Sequence, residues 1–248
     1  MDLGIEGRTA IVCAASRGLG RACAKALARE GVHLVINSRT AESLDATAAE
    51  IRALAPGVTV KTVPGSVTDP SVRVALVDAA PQADILVNNG GGPPLGDYHD
   101  WNRDVWLAAM DENLLAAVEL IRLTADGMAE RGFGRIVNIT SAVVRVPTAP
   151  LGLSNAMRAA LSNFVFGLVP LYSAKGVTLN NLLPGPFDTD RLQAAKAARG
   201  AAEINRVAGR VGDPDEFGAT CAFLCSRHAG YINGQNIMLD GGLYPGNF

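Results

Sequence analysis

Apolar residues in this chain come in short unbroken runs, and between the runs they recur every three or four positions. The runs at 8–15 (RTAIVCAA), 32–37 (VHLVIN), 58–63 (VTVKTV), 84–89 (DILVNN), 134–141 (GRIVNITS), 177–183 (VTLNNLL) and 235–240 (QNIMLD) predict strands. The segments 18–31, 40–57, a short stretch near 70–80, 101–130 and 152–174 have the length and periodicity of helices. Continuously apolar strands alternating with helices are buried on both faces, as in a parallel sheet covered by helices on each side. Right-handed crossovers then make the sheet doubly wound. The expectation is a single α/β domain over 1–248 with about seven strands. Pro170 falls inside the last helix, where a missing donor and a ring clash predict a kink or an early end. The Ala- and Arg-rich stretch 186–212 fits neither pattern and reads as an excursion from the sheet.

Composition narrows the function classes. At 248 residues the chain can bury a sizeable core. A net charge of −2 gives no global basic field for nucleic acid or anionic membrane. No apolar run approaches the ~20 residues of a membrane span. The N-terminal MDLGIEGRTA lacks the apolar stretch of a signal peptide, so the cytoplasm is the expected location. Cys13, Cys23, Cys221 and Cys225 form no tight CxxC pair with further ligands nearby. They read as small buried hydrophobes, and no metal site is expected.

Candidate chemistry begins at the first turn. Strand 8–15 runs into CAASRGLG (13–20) and then a helix. Glycines at a helix N-terminus let backbone N–H groups approach a pyrophosphate, and the helix dipole favours the anion. The second strand ends in INSRT (36–40), where an acidic residue would bind the ribose 2′-OH of NAD. Here Asn37, Ser38 and Arg39 stand in its place, and Arg17 lies in the glycine loop. Two guanidinium groups near one ribose suit a 2′-phosphate, so the expected cofactor is NADP(H).

These motifs resemble the short-chain dehydrogenase/reductase family along essentially the whole chain, most nearly its 3-oxoacyl-carrier-protein reductases. The resemblance implies a Rossmann-type fold and nicotinamide-dependent reduction of a small molecule, an acyl thioester among the candidates. The family's first turn reads Thr-Gly-x-x-x-Gly-x-Gly, and Cys13-Ala14-Ala15-Ser16-Arg17-Gly18-Leu19-Gly20 keeps only its last two glycines. Ser66-Val67 falls where an Asp-Val pair flanks the adenine, and Asn88-Asn89-Gly90-Gly91 resembles Asn-Asn-Ala-Gly. Pro184, Gly185 and Thr189 match Pro-Gly-x-x-x-Thr, which borders the nicotinamide. The resemblance also implies a homotetramer or homodimer through the helices at 101–130 and 152–174. Leu114, Leu115, Val118, Leu161, Phe164, Val165 and Leu168 there supply more apolar surface than one sheet face needs.

The family's catalytic set is Asn, Ser, Tyr and Lys. Asn113 and Ser141 stand at the first two positions. Thirteen residues past Ser141 comes Ser154 and four further comes Arg158, so SNAMR replaces the expected Tyr-x-x-x-Lys. Tyr172 and Lys175 imitate the missing pair, but they lie about five helical turns away, roughly 27 Å from Ser154. Arginine can hold the nicotinamide ribose but cannot shuttle a proton, and serine is a far weaker acid than a phenol. Losing a matched general acid costs ~10²–10⁴ in rate. Three readings stay open. One is an NADP-dependent reductase of carbonyl or activated acceptors using Ser141 with Ser154, or with water, as donor. Another takes its acid from Tyr98 or His99, after the Gly/Pro-rich loop. The third is a weak or inactive NADP-binding sensor or partner subunit. The excursion carries Arg191, Lys196, Arg199, Arg206 and Arg210 against Asp188, Asp190 and Glu203, which would suit an anionic substrate or simply form a solvated face.

Overall fold

A computed structural model describes residues 1–199 and 207–246. Its strands are β1 (Thr9–Val12), β2 (His33–Ser38), β3 (Val60–Pro64), β4 (Ile85–Asn88), β5 (Gly134–Ile139), β6 (Val177–Pro184) and β7 (Asn236–Leu239). Among the described residues they form one parallel sheet in the order β3-β2-β1-β4-β5-β6-β7. The order reverses between β1 and β4, so the loops leaving these two strands diverge and open a crevice at the carboxyl edge of the sheet.

Alternation along each strand sorts the side chains to two cores. Ala10, Val12, Ile85 and Val87 pack with Leu27 and Cys23 of α1 (Gly18–Arg29), Leu44 and Ile51 of α2 (Ala41–Leu54), and Phe217 and Cys221 of α8 (Pro214–Cys225). Ile11, Cys13 and Leu86 face the other way. They meet Leu76 of α3 (Pro70–Ala79), Leu120 and Ile121 of α5 (Ala116–Glu130), and Leu161 and Val165 of α6 (Gly152–Tyr172). All four cysteines are free and buried, as their residue type and surroundings predict. No helix among the described residues is long and apolar enough to cross a membrane.

Three expectations change. The single long helix expected over 101–130 starts later and divides. The helix α4 (Arg103–Met110) passes into α5 through a π turn at Asp111–Leu115. Asn113, in the middle of that turn, donates from Nδ2 to the Ala109 carbonyl at 3.3 Å, a side chain competing with the backbone for its acceptor. Helix α6 passes Pro170 and stops at Tyr172, short of the expected 174. A proline in the last turn removes only a terminal bond, so the helix survives it. Finally, Leu161 and Val165, expected as surplus surface, are 4% and 0% exposed and belong to the core between α6 and the sheet.

Four asparagines cross the interior of the sheet. Asn88, Asn138, Asn181 and Asn236 occupy paired positions on β4, β5, β6 and β7. Asn88, Asn138 and Asn181 each donate from Nδ2 to the next Oδ1, at 2.9, 3.1 and 2.9 Å. An amide is both donor and acceptor, so each contact in the row pairs one with the other, and the Asn88 Oδ1 at its end is left without a protein donor.

Candidate active site

The turn after β1 is held from below. Ala15 N–H donates to the Asn37 carbonyl at 2.8 Å, Thr47 Oγ1 to the Ser16 carbonyl at 3.1 Å, and Asn89 Nδ2 to the Ala14 carbonyl at 3.4 Å. Ala14 has φ 48°, the left-handed region, and is the one non-glycine there among the described residues. Gly20 is required by packing, since a Cβ on it would overlap the Ala14 carbonyl oxygen. Helix α1 begins with no side-chain cap. Its first-turn N–H groups at Gly18, Leu19 and Gly20 therefore face the crevice with nothing but solvent or an anion to satisfy them. That cradle fits a pyrophosphate.

The remaining cofactor candidates lie at or just past the carboxyl ends of β1, β2, β3, β4 and β6. Arg17 and Arg39 are both exposed, and Ser38 turns its hydroxyl to the Thr40 carbonyl at 3.1 Å. Thr189 closes on the glycine turn, its Cγ2 3.6 Å from where a Gly18 Cβ would stand. Gly185 follows β6, its N–H bonded to the Leu239 carbonyl at 2.9 Å, and a Cβ there would press on Asp240. Ser66 shares a 2.8 Å bond with Thr68. Val67, Asn89 and Gly90 line a recess with Cys13, Asn88, Glu112, Asn113 and Arg158. Burial pushes the Cys13 thiol up to about 12, so it is inert there at neutral pH.

The substituted pair is a tight unit. Arg158 Nε donates to Ser154 Oγ at 3.1 Å, and Nη1 donates to the carbonyls of Ile139 and Thr140 at 2.8 and 2.7 Å. Both residues are buried, at 8% and 4% exposure. A guanidinium carries five N–H groups. Three are spent holding Ser154 and the end of β5, which leaves the two on Nη2. Burial, then the nearby Arg191, lowers the Arg158 pKa to about 10 while Glu112 opposes the shift, so it remains a cation at neutral pH. Ser141 follows directly on this clamped strand end. Its Oγ accepts the Val143 N–H at 3.3 Å, which leaves its own proton free to donate. Asn113 and Asn88 each hold a buried Oδ1 with no donor from the protein, and both residues line the recess.

Other candidates lie elsewhere. Tyr98 is 66% exposed, and His99 Nδ1 is 2.7 Å from Asp97 Oδ1 in solvent. Neither lines the recess; Ser141 and Ser154 do not line it either, but Ser154 is bonded to Arg158, which does. Tyr172 donates to Asp126 Oδ1 at 2.9 Å, and Lys175 Nζ sits 5.7 Å from its ring, at the end of α6 remote from the crevice. In the excursion, α7 (Asp190–Arg199) returns toward the site. Arg210 is bound bidentately by Glu216, so it is not free for a substrate. The side chains of Lys196, Arg199, Glu203 and Arg206 lie outside the described residues.

Sequence reasoning missed Glu112, and it named Arg191 only as one of several charges in the excursion. Glu112 Oε1 accepts the Gly91 N–H at 3.1 Å and so braces the loop after β4 against the π turn. Arg191 reaches across that loop at Gly92. Glu112 adjoins Asn113, and the glycine run 90–92 marks room for a close neighbour. Neither signal says which residue arrives.

A family model described as Enoyl-(Acyl carrier protein) reductase matches residues 13–244. The chain is 33% identical over 247 residues to the 3-oxoacyl-[acyl-carrier-protein] reductase FabG of Vibrio cholerae, covering 98% of this chain and 99% of that protein. It is 32% identical over 251 residues to the NADPH-dependent reductase BacG of Bacillus subtilis, covering 95% and 97%. The solved L-sorbose reductase of Gluconobacter frateurii, complexed with NADPH and L-sorbose, superposes with a TM-score of 0.91 at 30% identity, covering 98% of each chain. The chain belongs to the short-chain dehydrogenase/reductase family.

Proposed function

We propose that this protein is an NADPH-dependent oxidoreductase that reduces a carbonyl or similarly activated acceptor, 3-oxoacyl groups among them, through an atypical proton-donating pair. The observation that carries the reading is the Arg158 arrangement. A buried cation is costly unless hydrogen-bonded, and here each bond does something useful for a reductase. Two bonds fix the strand end that presents Ser141. The third polarises Ser154, because a hydroxyl that accepts from a cation becomes a better donor.

When bound with its pyrophosphate at the α1 N-terminus, NADPH would supply the hydride. Ser38, Arg17 and Arg39 would hold its 2′-phosphate end, Ser66 and Val67 its adenine. Asn89, Gly90 and Gly91 would line its path, with Pro184, Gly185 and Thr189 beside the nicotinamide. The free Nη2 of Arg158 would hold the ribose. Ser141 would donate a hydrogen bond to the acceptor oxygen, and Ser154 would be the nearest proton source. Asn113 would hold a donor, water included, on its unpartnered Oδ1. Serine is a poor acid, so the reading expects slow turnover on simple ketones and faster turnover on activated ones.

The test is Ser141→Ala, Ser154→Ala and Arg158→Ala, assayed by NADPH oxidation with the best acceptor from a carbonyl panel. Ser141→Ala should lower turnover at least about tenfold, and Arg158→Ala should raise the NADPH Kd. Full rate in all three variants removes the assignment. NADPH binding by the wild type with no turnover on any acceptor class favours the alternative, a sensor or partner subunit.

A further inference from the structure

The loop after β4 has three consecutive glycines, Gly90, Gly91 and Gly92. The third has a particular reason to lack a side chain. A Cβ built on Gly92 would overlap the guanidinium of Arg191, at Nη1, Cζ and Nη2 alike. The guanidinium of α7 thus occupies the space that a side chain at 92 would fill. This lays a cation on the loop after β4, two residues past Gly90 of the recess and close enough to Arg158 to lower its pKa.

Arg191 is not there to balance a carboxylate. Among the described residues no ion pair or hydrogen bond engages its side chain, whereas Arg21, Arg122 and Arg210 each have a glutamate. Glu112 is near enough to be felt, yet it makes no ion-pair contact with Arg191, and its Oε1 accepts from the Gly91 N–H. The local sum is two cations, Arg158 and Arg191, against one carboxylate. Arg191 as a residue remains exposed, yet desolvation of its guanidinium is the largest cause lowering its pKa, with Glu112 opposing. A partly dried, unpaired guanidinium beside the reacting centre has an unmet demand for an anion.

We propose that Arg191, given room by Gly92, is a specificity-determining residue that binds a carboxylate or phosphate on the substrate next to the carbonyl to be reduced. The substrate class is then an anionic acceptor such as a 2-oxo acid. This rests on the reductase reading of the site and narrows it. Arg17 lines a pocket with Thr189 and Asp190, the residues just before Arg191, so the cofactor's phosphates are the competing ligand the test must separate.

Binding can be read without turnover. Benzoylformate, methyl benzoylformate and inorganic phosphate are titrated calorimetrically into the wild type with and without saturating NADP⁺. The same is done for Arg191→Met, Arg191→Lys and Gly92→Ala, with thermal melts to verify folding. Benzoylformate should bind the wild type at least about tenfold more tightly than its ester, equivalent to roughly 1.4 kcal/mol. Arg191→Met should abolish that preference, and so should Gly92→Ala, because its Cβ evicts the guanidinium. Arg191→Lys should keep part of it. Competition by phosphate at similar affinity would assign the site to phosphorylated substrates, and its absence to carboxylates. Equal affinity of acid and ester for the wild type overturns the proposal. So does a fall in NADPH affinity in Arg191→Met as large as the fall for benzoylformate, which would make Arg191 a cofactor phosphate ligand. Failure of NADPH to bind the wild type at all would instead strike the reductase reading, and the titration without cofactor would still decide on the anion.

Discussion

Ala14 and Arg158 show how one side chain sets what its surroundings must do. Ala14 adopts φ 48°, a conformation that costs a non-glycine residue about 1–2 kcal/mol. The three hydrogen bonds onto the turn at residues 14–16 hold it there. The turn therefore keeps the shape that glycine gives in the resembling motif. Arg158 spends three N–H groups on structure and keeps two for a ligand. Arg17 and Arg39 are the reverse case, both exposed, with no hydrogen bond or ion pair to either side chain among the described residues. Arg39→Asp should accordingly weaken NADPH at least about tenfold while sparing or improving NADH. A fluorescence titration with both cofactors checks this, and equal losses would reject the 2′-phosphate assignment.

At the scale of elements, polar residues inside regular structure mark the site. A continuous helix would aim Asn113 differently, and the π turn at Asp111–Leu115 lets it face the recess beside Arg158. Extra turns of this kind occur often at functional sites. The amide row across β4 to β7 is the sheet's counterpart. It runs from the half-exposed Asn236 to Asn88, whose Oδ1 ends in the recess without a protein donor. Asn138, fully buried at its centre, holds neighbours on both sides. Asn138→Ala would strand a donor on Asn88 and an acceptor on Asn181, and should cost roughly 2–4 kcal/mol. Urea unfolding measures it. A loss under about 0.5 kcal/mol would mean the row relaxes onto other partners.

For the whole molecule, the remaining question is what covers the outer face of the helices at α4 to α6. With Leu161 and Val165 inside the core, the apolar surface left there is Leu107, Leu115, Leu123, Phe164 and Leu171, each between 36% and 59% exposed. A second copy of the chain is the occupant the family resemblance implies. The expected outcome is a dimer or tetramer in light scattering at micromolar concentration. Leu115→Glu with Phe164→Glu should shift it toward monomer while the thermal melt stays cooperative. A wild-type monomer would contradict the expectation.

The sequence alone determined the layers, the parallel sheet and the carboxyl-edge crevice, because unbroken apolar runs alternating with helical periods allow few other folds. Through the family resemblance it also singled out Asn113, Ser141, Ser154 and Arg158 as the proposed catalytic set, since motif spacing is a property of the chain. It set Tyr172 and Lys175 aside by distance, and the structure puts Tyr172 at the last residue of α6, eighteen residues past Ser154. It did not reveal that Arg158 is clamped to β5, that four asparagines on four strands form one row, or that Arg191 fills the space over Gly92. These contacts join residues far apart in the chain. They depend on strand register and on the return of α7 to the crevice, and only tertiary packing decides those.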